Sequence, residues 1–193
     1  MTETTPRREA TRNRLIQAAI HEFALRGIDA TSVEQLCEQA GFTRGAFYSN
    51  FATKDDLCVA IIEHYCEQVE EGLDQIFQPP ADAGIEWAVN EAIPAFFRTL
   101  GPTAQVRMTM LEIHLRSTRS PELAARLNEL DGRTRPAMMT FLDQAASHVG
   151  LRFRMPTEQV LRALSAVFFE PELAADVDEA LLGRLLAALT EPA

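Results

Sequence analysis

The stretch Ser32 to Leu57, SVEQLCEQAGFTRGAFYSNFATKDDL, decides the fold because three helix starts crowd into it and its leading edge. Thr31 with Glu34 and Ser32 with Gln35 both have capping-box spacing, so a helix opens at one or the other. Val33, Leu36, Cys37 and Ala40 then form an i, i+3, i+4, i+7 apolar face, and Gly41 closes the helix after barely two turns. Thr43 is a good N-cap for a third short helix reaching about Asn50. Thr53 with Asp56 repeats the capping box and starts a long helix to about Phe77, striped by Leu57, Ile61, Tyr65, Val69, Leu73 and Ile76, until Pro79-Pro80 forbids continuation. Lys54 raises a question of its own. It is the sole lysine of the chain and falls in a first helical turn, where the macrodipole disfavours a cation. A phosphate outside the chain would offset that placement.

Upstream, a helix from about Glu9 to Arg26 puts Ile16, Ala19, Ile20 and Phe23 on one face, and Gly27 stops it. Three short helices joined by glycine-bearing turns describe a helix-turn-helix unit, in which the second helix of the pair, the third of these three, lies in a DNA major groove. The apolar face of the second helix packs on Ile16, Ile20 and Phe23, with Phe47 and Phe51 closing the small core. Thr43, Arg44, Gly45, Ala46, Tyr48 and Ser49 are left facing outward. That surface has an arginine able to read a base, a hydroxyl cap and two residues small enough for close approach.

The rest of the chain keeps a helical period, and no alternating run bounded by turn signals argues for a strand. Ile85, Val89, Ile93, Phe96, Phe97 and Leu100 mark one helix, interrupted by Pro94. Residues 103 to 118 are apolar nearly all round, which predicts a buried central helix. Pro121 to Val149 reads as one kinked helix or two, broken near Gly132 and Pro136, and a last pair spans about Thr157 to Phe169 and Asp178 to Thr190. The expected fold is all-α, of about nine helices: a helix-turn-helix domain at 1–53 and a helical regulatory, ligand-binding and dimerisation domain at 54–193.

Charge divides the chain the same way. Of 18 basic and 28 acidic residues in 193, residues 1 to 54 hold seven and six, leaving 11 and 22 for the remainder. Phosphate binding needs local positive charge, so the total of −10 matters less than a near-neutral head on an acidic body. No apolar run reaches membrane-spanning length and the basic start lacks the apolar stretch of a secretory signal, so a cytoplasmic protein with no membrane partner is expected. Cys37, Cys58 and Cys66 are odd in number and at no zinc spacing, which argues against a disulfide framework and a metal site.

Residues 10 to 65 resemble the DNA-binding domain of the tetracycline-repressor (TetR) family of bacterial regulators. An amphipathic helix, Gly27, Thr31-Ser32-Val33, Ala40-Gly41, Gly45, Tyr48, Phe51, Lys54 and Leu57 all stand at the family's spacing. Ser49 and Asn50 replace a histidine and an aromatic common there, and FFEPELAADVDEALLGR is shorter and more broken than the usual dimerising helix. The resemblance implies that Thr43, Arg44, Gly45, Ala46 and Ser49 meet base edges or nearby phosphates, and that Tyr48 and Lys54 grip the backbone. Thr31 or Ser32 would add a phosphate contact, and Arg7, Arg8 and Arg12 an N-terminal arm tracking the DNA. The implied partners are operator DNA, a second copy of the chain and a small apolar effector, with no cofactor.

Candidate residues in the body are weaker signals. Trp87, Phe96, Phe97, Met108, Met138 and Phe141 suit an adaptable apolar pocket, though each suits plain core packing better. Glu112 and His114 are possible ligand contacts on different faces of their helix. Leu161, Leu164, Phe168, Leu181, Leu185 and Leu189 have the spacing for a four-helix interface across a two-fold axis. Cys58 and Cys66, eight positions apart on one helix, lie roughly 12 Å apart along its axis, too far for a disulfide. An enzyme is not expected: none of His21, His64, His114 and His148 follows a glutamate by three residues as a di-iron bundle needs, and no nucleophile elbow or phosphate-binding glycine loop appears. A helix-turn-helix adaptor or architectural protein without a ligand is the alternative.

Overall fold

In the computed structural model, residues 6–76, 80, 83–87, 91, 103–168, 184, 185 and 187–193 are described. Their elements run α1 (Pro6–Arg26), α2 (Val33–Ala40), α3 (Arg44–Tyr48), α4 (Lys54–Ile76), α5 (Ile85–Trp87), α6 (Ala104–Ser117), α7 (Pro121–His148), β1 (Leu151–Phe153), α8 (Thr157–Phe168) and β2 (Thr190–Pro192). Among the described residues the protein is all-α but for that one strand pair.

Each early helix starts where its cap dictates. Ser32, not Thr31, is the N-cap of α2: its side chain accepts from Gln35 N while Gln35 Oε1 accepts from Ser32 N at 2.8 Å. Gly41 takes the left-handed conformation (φ 69°) that ends α2, and Phe42 N–H reaches back to the Cys37 carbonyl at 2.8 Å. The Thr53–Asp56 box opens α4, with Thr53 N–H donating to Asp56 Oδ2 at 2.8 Å and Asp56 N–H to Thr53 Oγ1 at 3.1 Å. Helix α1 starts earlier than expected. Pro6 suits a first helical position, so Arg7, Arg8 and Arg12 lie on the first turns of a helix and not on a flexible arm.

Two compact units divide the chain: Met1–Tyr65 with Pro102–Leu130, and Cys66–Gly101 with Asp131–Ala193. The expected boundary after residue 53 therefore falls inside the first unit, because the start of α4 and all of α6 pack with the head. Its core holds Leu15, Ile16, Ala19, Phe23 and Ile28, Leu36 and Cys37, Phe47 and Phe51, Leu57, Cys58 and Ile61, and Ile113 and Leu123. Complete burial of each large apolar side chain stabilises by about 1.5–3 kcal/mol before entropy. Helix α6 is two-faced, not buried all round. Thr109, Met110 and Ile113 are buried, whereas Met108, Leu111 and Leu115 are exposed.

Helix α7 is a single helix whose part from Asp131 onward belongs to the second unit and carries Pro136, which leaves the carbonyl of Gly132 without its helical N–H donor. The strand pair was not anticipated. β1 and β2 run antiparallel with Leu151 opposite Pro192, Arg152 opposite Glu191 and Phe153 opposite Thr190, so Thr190 starts a strand where the end of a helix was expected. Arg152 pairs with Glu191 at 2.8 Å, and Arg154 N–H donates to the Leu189 carbonyl at 2.9 Å. Of the expected interface residues, Leu161, Leu164 and Leu185 are half-buried and Leu189 is buried. Phe168 ends α8, and Leu181 lies outside the described residues. Among the described residues no helix is long and apolar enough to cross a membrane.

Candidate nucleic-acid interface

Helix α3 is only five residues long, so its rotation depends on anchors. Phe47 is completely buried, meets Tyr48 edge-on at 5.3 Å between ring centroids and lies 5.9 Å from the Phe51 ring. With those rings held, Thr43, Arg44, Gly45, Tyr48 and Ser49 are exposed and Ala46 is half-buried. Thr43 caps the helix, its Oγ1 accepting from Ala46 N. Gly45 has no internal reason to be glycine: a Cβ there would meet nothing nearer than Thr43 Oγ1 at 3.8 Å, and its φ is not left-handed. Glycine inside a helix costs roughly 0.5–1 kcal/mol against alanine, and no contact among the described residues requires it here.

Arg44 is engaged without being buried. Its Nη1 lies 2.6 Å from Glu34 Oε1 and its Nη2 3.4 Å from Tyr48 Oη, with the guanidinium 5.6 Å from the Tyr48 ring. Those two partners, the Tyr48 hydroxyl first, hold its proton more tightly than usual. Arg8 reaches the same edge, donating to the Ser49 carbonyl at 3.2 Å, while Arg7 is exposed. Arg12 faces elsewhere. It is half-buried, pairs with Glu63 at 3.2 Å and stacks 5.9 Å from the Phe51 ring, so it braces α1 against α4.

Thr31 and Lys54 also turn inward. Thr31 is buried and its hydroxyl donates to the Gly27 carbonyl at 2.7 Å, which corrects the expected phosphate contact from its side chain; Ser32 is the exposed residue at that helix start. Lys54 Nζ donates to the carbonyls of Ile28 at 2.6 Å and Thr31 at 2.9 Å. A compact ammonium with three divergent donors suits two converging carbonyls, where a planar guanidinium fork does not. The lone lysine thus has two partners within the chain.

Those carbonyls belong to the turn between α1 and α2, which α6 holds from the other side. Gly27 stands at φ 79°, and Glu112 Oε2 accepts from Ile28 N at 3.3 Å. Arg116 bridges Asp29 at 2.5 Å and Asp55 at 2.6 Å, the hydrogen bond to Asp55 being the main reason its proton is held more firmly. Thr109, completely buried, donates to the Ile20 carbonyl at 2.9 Å, and Gln105 meets His21 at 3.2 Å. Positions 105, 109, 112 and 116 form one helical face, so α6 lays a polar seam on the head. Glu112 is accounted for by this seam without a ligand, and His114 is exposed.

The remaining ligand candidates are scattered. Met108 is exposed in the first unit, Trp87, Met138 and Phe141 are half-buried in the second, and Phe96 and Phe97 lie outside the described residues. Burial pushes the Cys58 thiol up to about 12, helped by Asp55 and opposed by Arg116 and Lys54, which makes it inert at neutral pH. Asp29, Asp55, Thr109 and Arg116 carry no signal in the sequence, and Glu34 registers there only at capping-box spacing from Thr31. For Arg116 and Asp29, 87 residues apart, no local spacing signals the pair.

Residues 15–61 match the model of bacterial regulatory proteins of the tetR family. The regulator SrpR of Pseudomonas putida is 25% identical over 166 residues, covering 86% of this chain and 73% of its own. YwcC of Bacillus subtilis strain 168 is 39% identical over 57 residues, 30% of this chain; the chain spans 26% of the length of YwcC and 19% of that of YerO from the same organism. Among solved structures, GusR of Salmonella enterica superposes with a TM-score of 0.68 at 23% identity, covering 96% of both chains. FadR of Bacillus halodurans gives 0.69 at 16% identity, covering 97% of this chain and 95% of its own. Residues 15–61 are thus similar to the helix-turn-helix head of tetR-family regulators, and the rest of the chain shares their fold.

Proposed function

We propose that the chain is a ligand-responsive DNA-binding transcriptional regulator, a repressor that acts in the cytoplasm as a homodimer and leaves a palindromic operator when a small apolar molecule binds. The observation that carries this reading is the division of α3: Phe47 buried as its anchor, with Arg44, Gly45, Tyr48 and Ser49 exposed beside Arg8. One such helix makes too few base contacts for a selective site, so a two-fold pair is expected, with half-sites about one helical turn apart or a multiple of it. Leu161, Leu164, Leu185 and Leu189 are the described candidates for that pairing.

Release follows if the effector prefers a conformation in which the two heads no longer match successive grooves, since a ligand acts only through different affinity for the two states. Two proteins of like fold are named for fatty acid degradation and as a ketosteroid regulator, which supports an apolar effector. Trp87, Phe96, Phe97, Met138 and Phe141, all of the second unit, are the residues proposed to receive it.

Selection from randomised duplexes, followed by titration of the enriched site, tests the proposal. A near-palindrome bound by a dimer is expected, with Arg44→Ala relaxing preference at one base pair at a cost of about 1–3 kcal/mol. Long-chain fatty acids and sterols should weaken that complex. A monomer that binds single half-sites equally well overturns the dimer, and failure of a broad apolar panel favours the ligand-free adaptor.

A further inference from the structure

Glu34 stands on the reading face without an obvious task there. An acid in the first turn of α2 suits the helix dipole, but the Ser32–Gln35 box already serves that end. Its carboxylate instead crosses to the next helix and meets Arg44 Nη1 at 2.6 Å, both side chains being about 60% exposed (60% and 63%). Tyr48 Oη accepts from Nη2 at 3.4 Å on the other side, so two partners flank the guanidinium. An exposed ion pair of this kind stabilises a fold very little. Its consequence lies in what it leaves Arg44 free to do.

Resting on the regulator reading above, we propose that Glu34 is a positioning residue that sets sequence selectivity by reserving Arg44 for base edges. Arginine has five N–H donors, so Arg44 can keep Glu34 on Nη1 and present other donors to the O6 and N7 acceptors of a guanine. Contact with a phosphate is different. There the spare donors would hold a second anion beside the Glu34 carboxylate, and like-charge repulsion penalises the contact, whereas a guanine edge carries no net charge. Glu34 therefore suppresses the contact that works on every sequence and retains the one that reads sequence.

The test uses the full-length chain, the duplex enriched by the wild type and a random-sequence duplex of equal length, titrated at several salt concentrations. Glu34→Gln should raise affinity for the random duplex while leaving the selected site equal or weaker, narrowing their ratio by about three- to tenfold. On random DNA the slope of log K against log salt should steepen by about one, as Arg44 becomes free to neutralise a phosphate. Glu38→Gln makes the same charge change at an exposed position of α2 and should shift both duplexes alike. In an Arg44→Ala background Glu34→Gln should no longer alter the ratio. The unfolding midpoint reports that the variants are folded. If Glu34→Gln shifts both duplexes by the same factor, as Glu38→Gln does, Glu34 is an ordinary helix-start acid and the proposal falls. If the wild type enriches no sequence, the regulator reading falls with it.

Discussion

Arg44 and Lys54 are ten positions apart in the same head, both cations near a helix start, yet they sit in opposite regimes. Lys54 belongs to a seam in which polar groups close on the chain's own backbone: its ammonium on Ile28 and Thr31, Glu112 on Ile28 N–H, Arg116 on Asp29 and Asp55. Arg44 belongs to a face whose partners, Glu34 and Tyr48, are themselves exposed and exchangeable. A polar group that satisfies a buried carbonyl is costly to remove and unavailable to a ligand, whereas an exposed pair contributes little and is released readily. Seam variants should therefore lose stability, and face variants should lose recognition with the fold intact.

The largest expected effect is at Lys54. Lys54→Met keeps the aliphatic stem but leaves two carbonyls without their donor, and urea unfolding should show a loss of about 2–3 kcal/mol. Stability within about 0.5 kcal/mol of the wild type, together with a salt slope on DNA reduced by about one, would move Lys54 from the seam to the DNA face.

Cys58 lies in the core beneath the same seam and gives a pH signature. Its folded-state pKa is raised, so the folded protein keeps the proton while the unfolded chain gives it up; the stability is fully present below about 9 and is lost as pH rises toward 12. One unit of differential ionisation is worth about 1.4 kcal/mol, so a loss on the order of 2 kcal/mol is expected by about pH 11. Cys58→Ala starts less stable but should show a shallower alkaline decline. Equal slopes in the two proteins would mean that the thiol ionises in the folded state.

Gly27 is next. Its φ of 79° lies in the left-handed region, and an added Cβ would stand 3.1 Å from Glu112 Oε2. Gly27→Ala should cost about 1–2 kcal/mol through backbone strain and displacement of the carboxylate that holds Ile28 N–H. Thermal unfolding with and without Glu112→Ala separates the two contributions, because alanine at 112 removes the side chain that the new Cβ would displace.

The two regions also differ in how much of them the sequence discloses. Face residues lie within one run of capping and apolar spacing, so the exposure of Thr43, Arg44, Gly45, Tyr48 and Ser49 follows from placing Leu36, Ala40 and Phe47 inside. Seam contacts join residues as far apart as Ile20 and Thr109, and α6 reads as apolar all round from its many aliphatic positions, while nothing local names the partners of its polar residues Thr109, Glu112 and Arg116. Lys54 was visible as an anomaly, but its partners are backbone carbonyls, which carry no side-chain signature. The strands Leu151–Phe153 and Thr190–Pro192 are too short for alternation to register and depend on pairing across 36 or more positions.

The smallest expected effect on stability is at Gly45, and it has the opposite sign. Alanine meets open space there at a φ any residue adopts, so Gly45→Ala should stabilise by a few tenths up to about 1 kcal/mol through helix propensity. Recognition should move the other way, because a methyl at the second position of α3 stands between the backbone and any groove it enters. Unfolding and DNA titration of one preparation read both signs together. A gain in stability with weaker binding to the selected duplex identifies Gly45 as an approach point. A gain in stability with unchanged binding would place the groove against Thr43 and Arg44 alone, and would shift α3 along the DNA relative to the docking inferred from its exposed side.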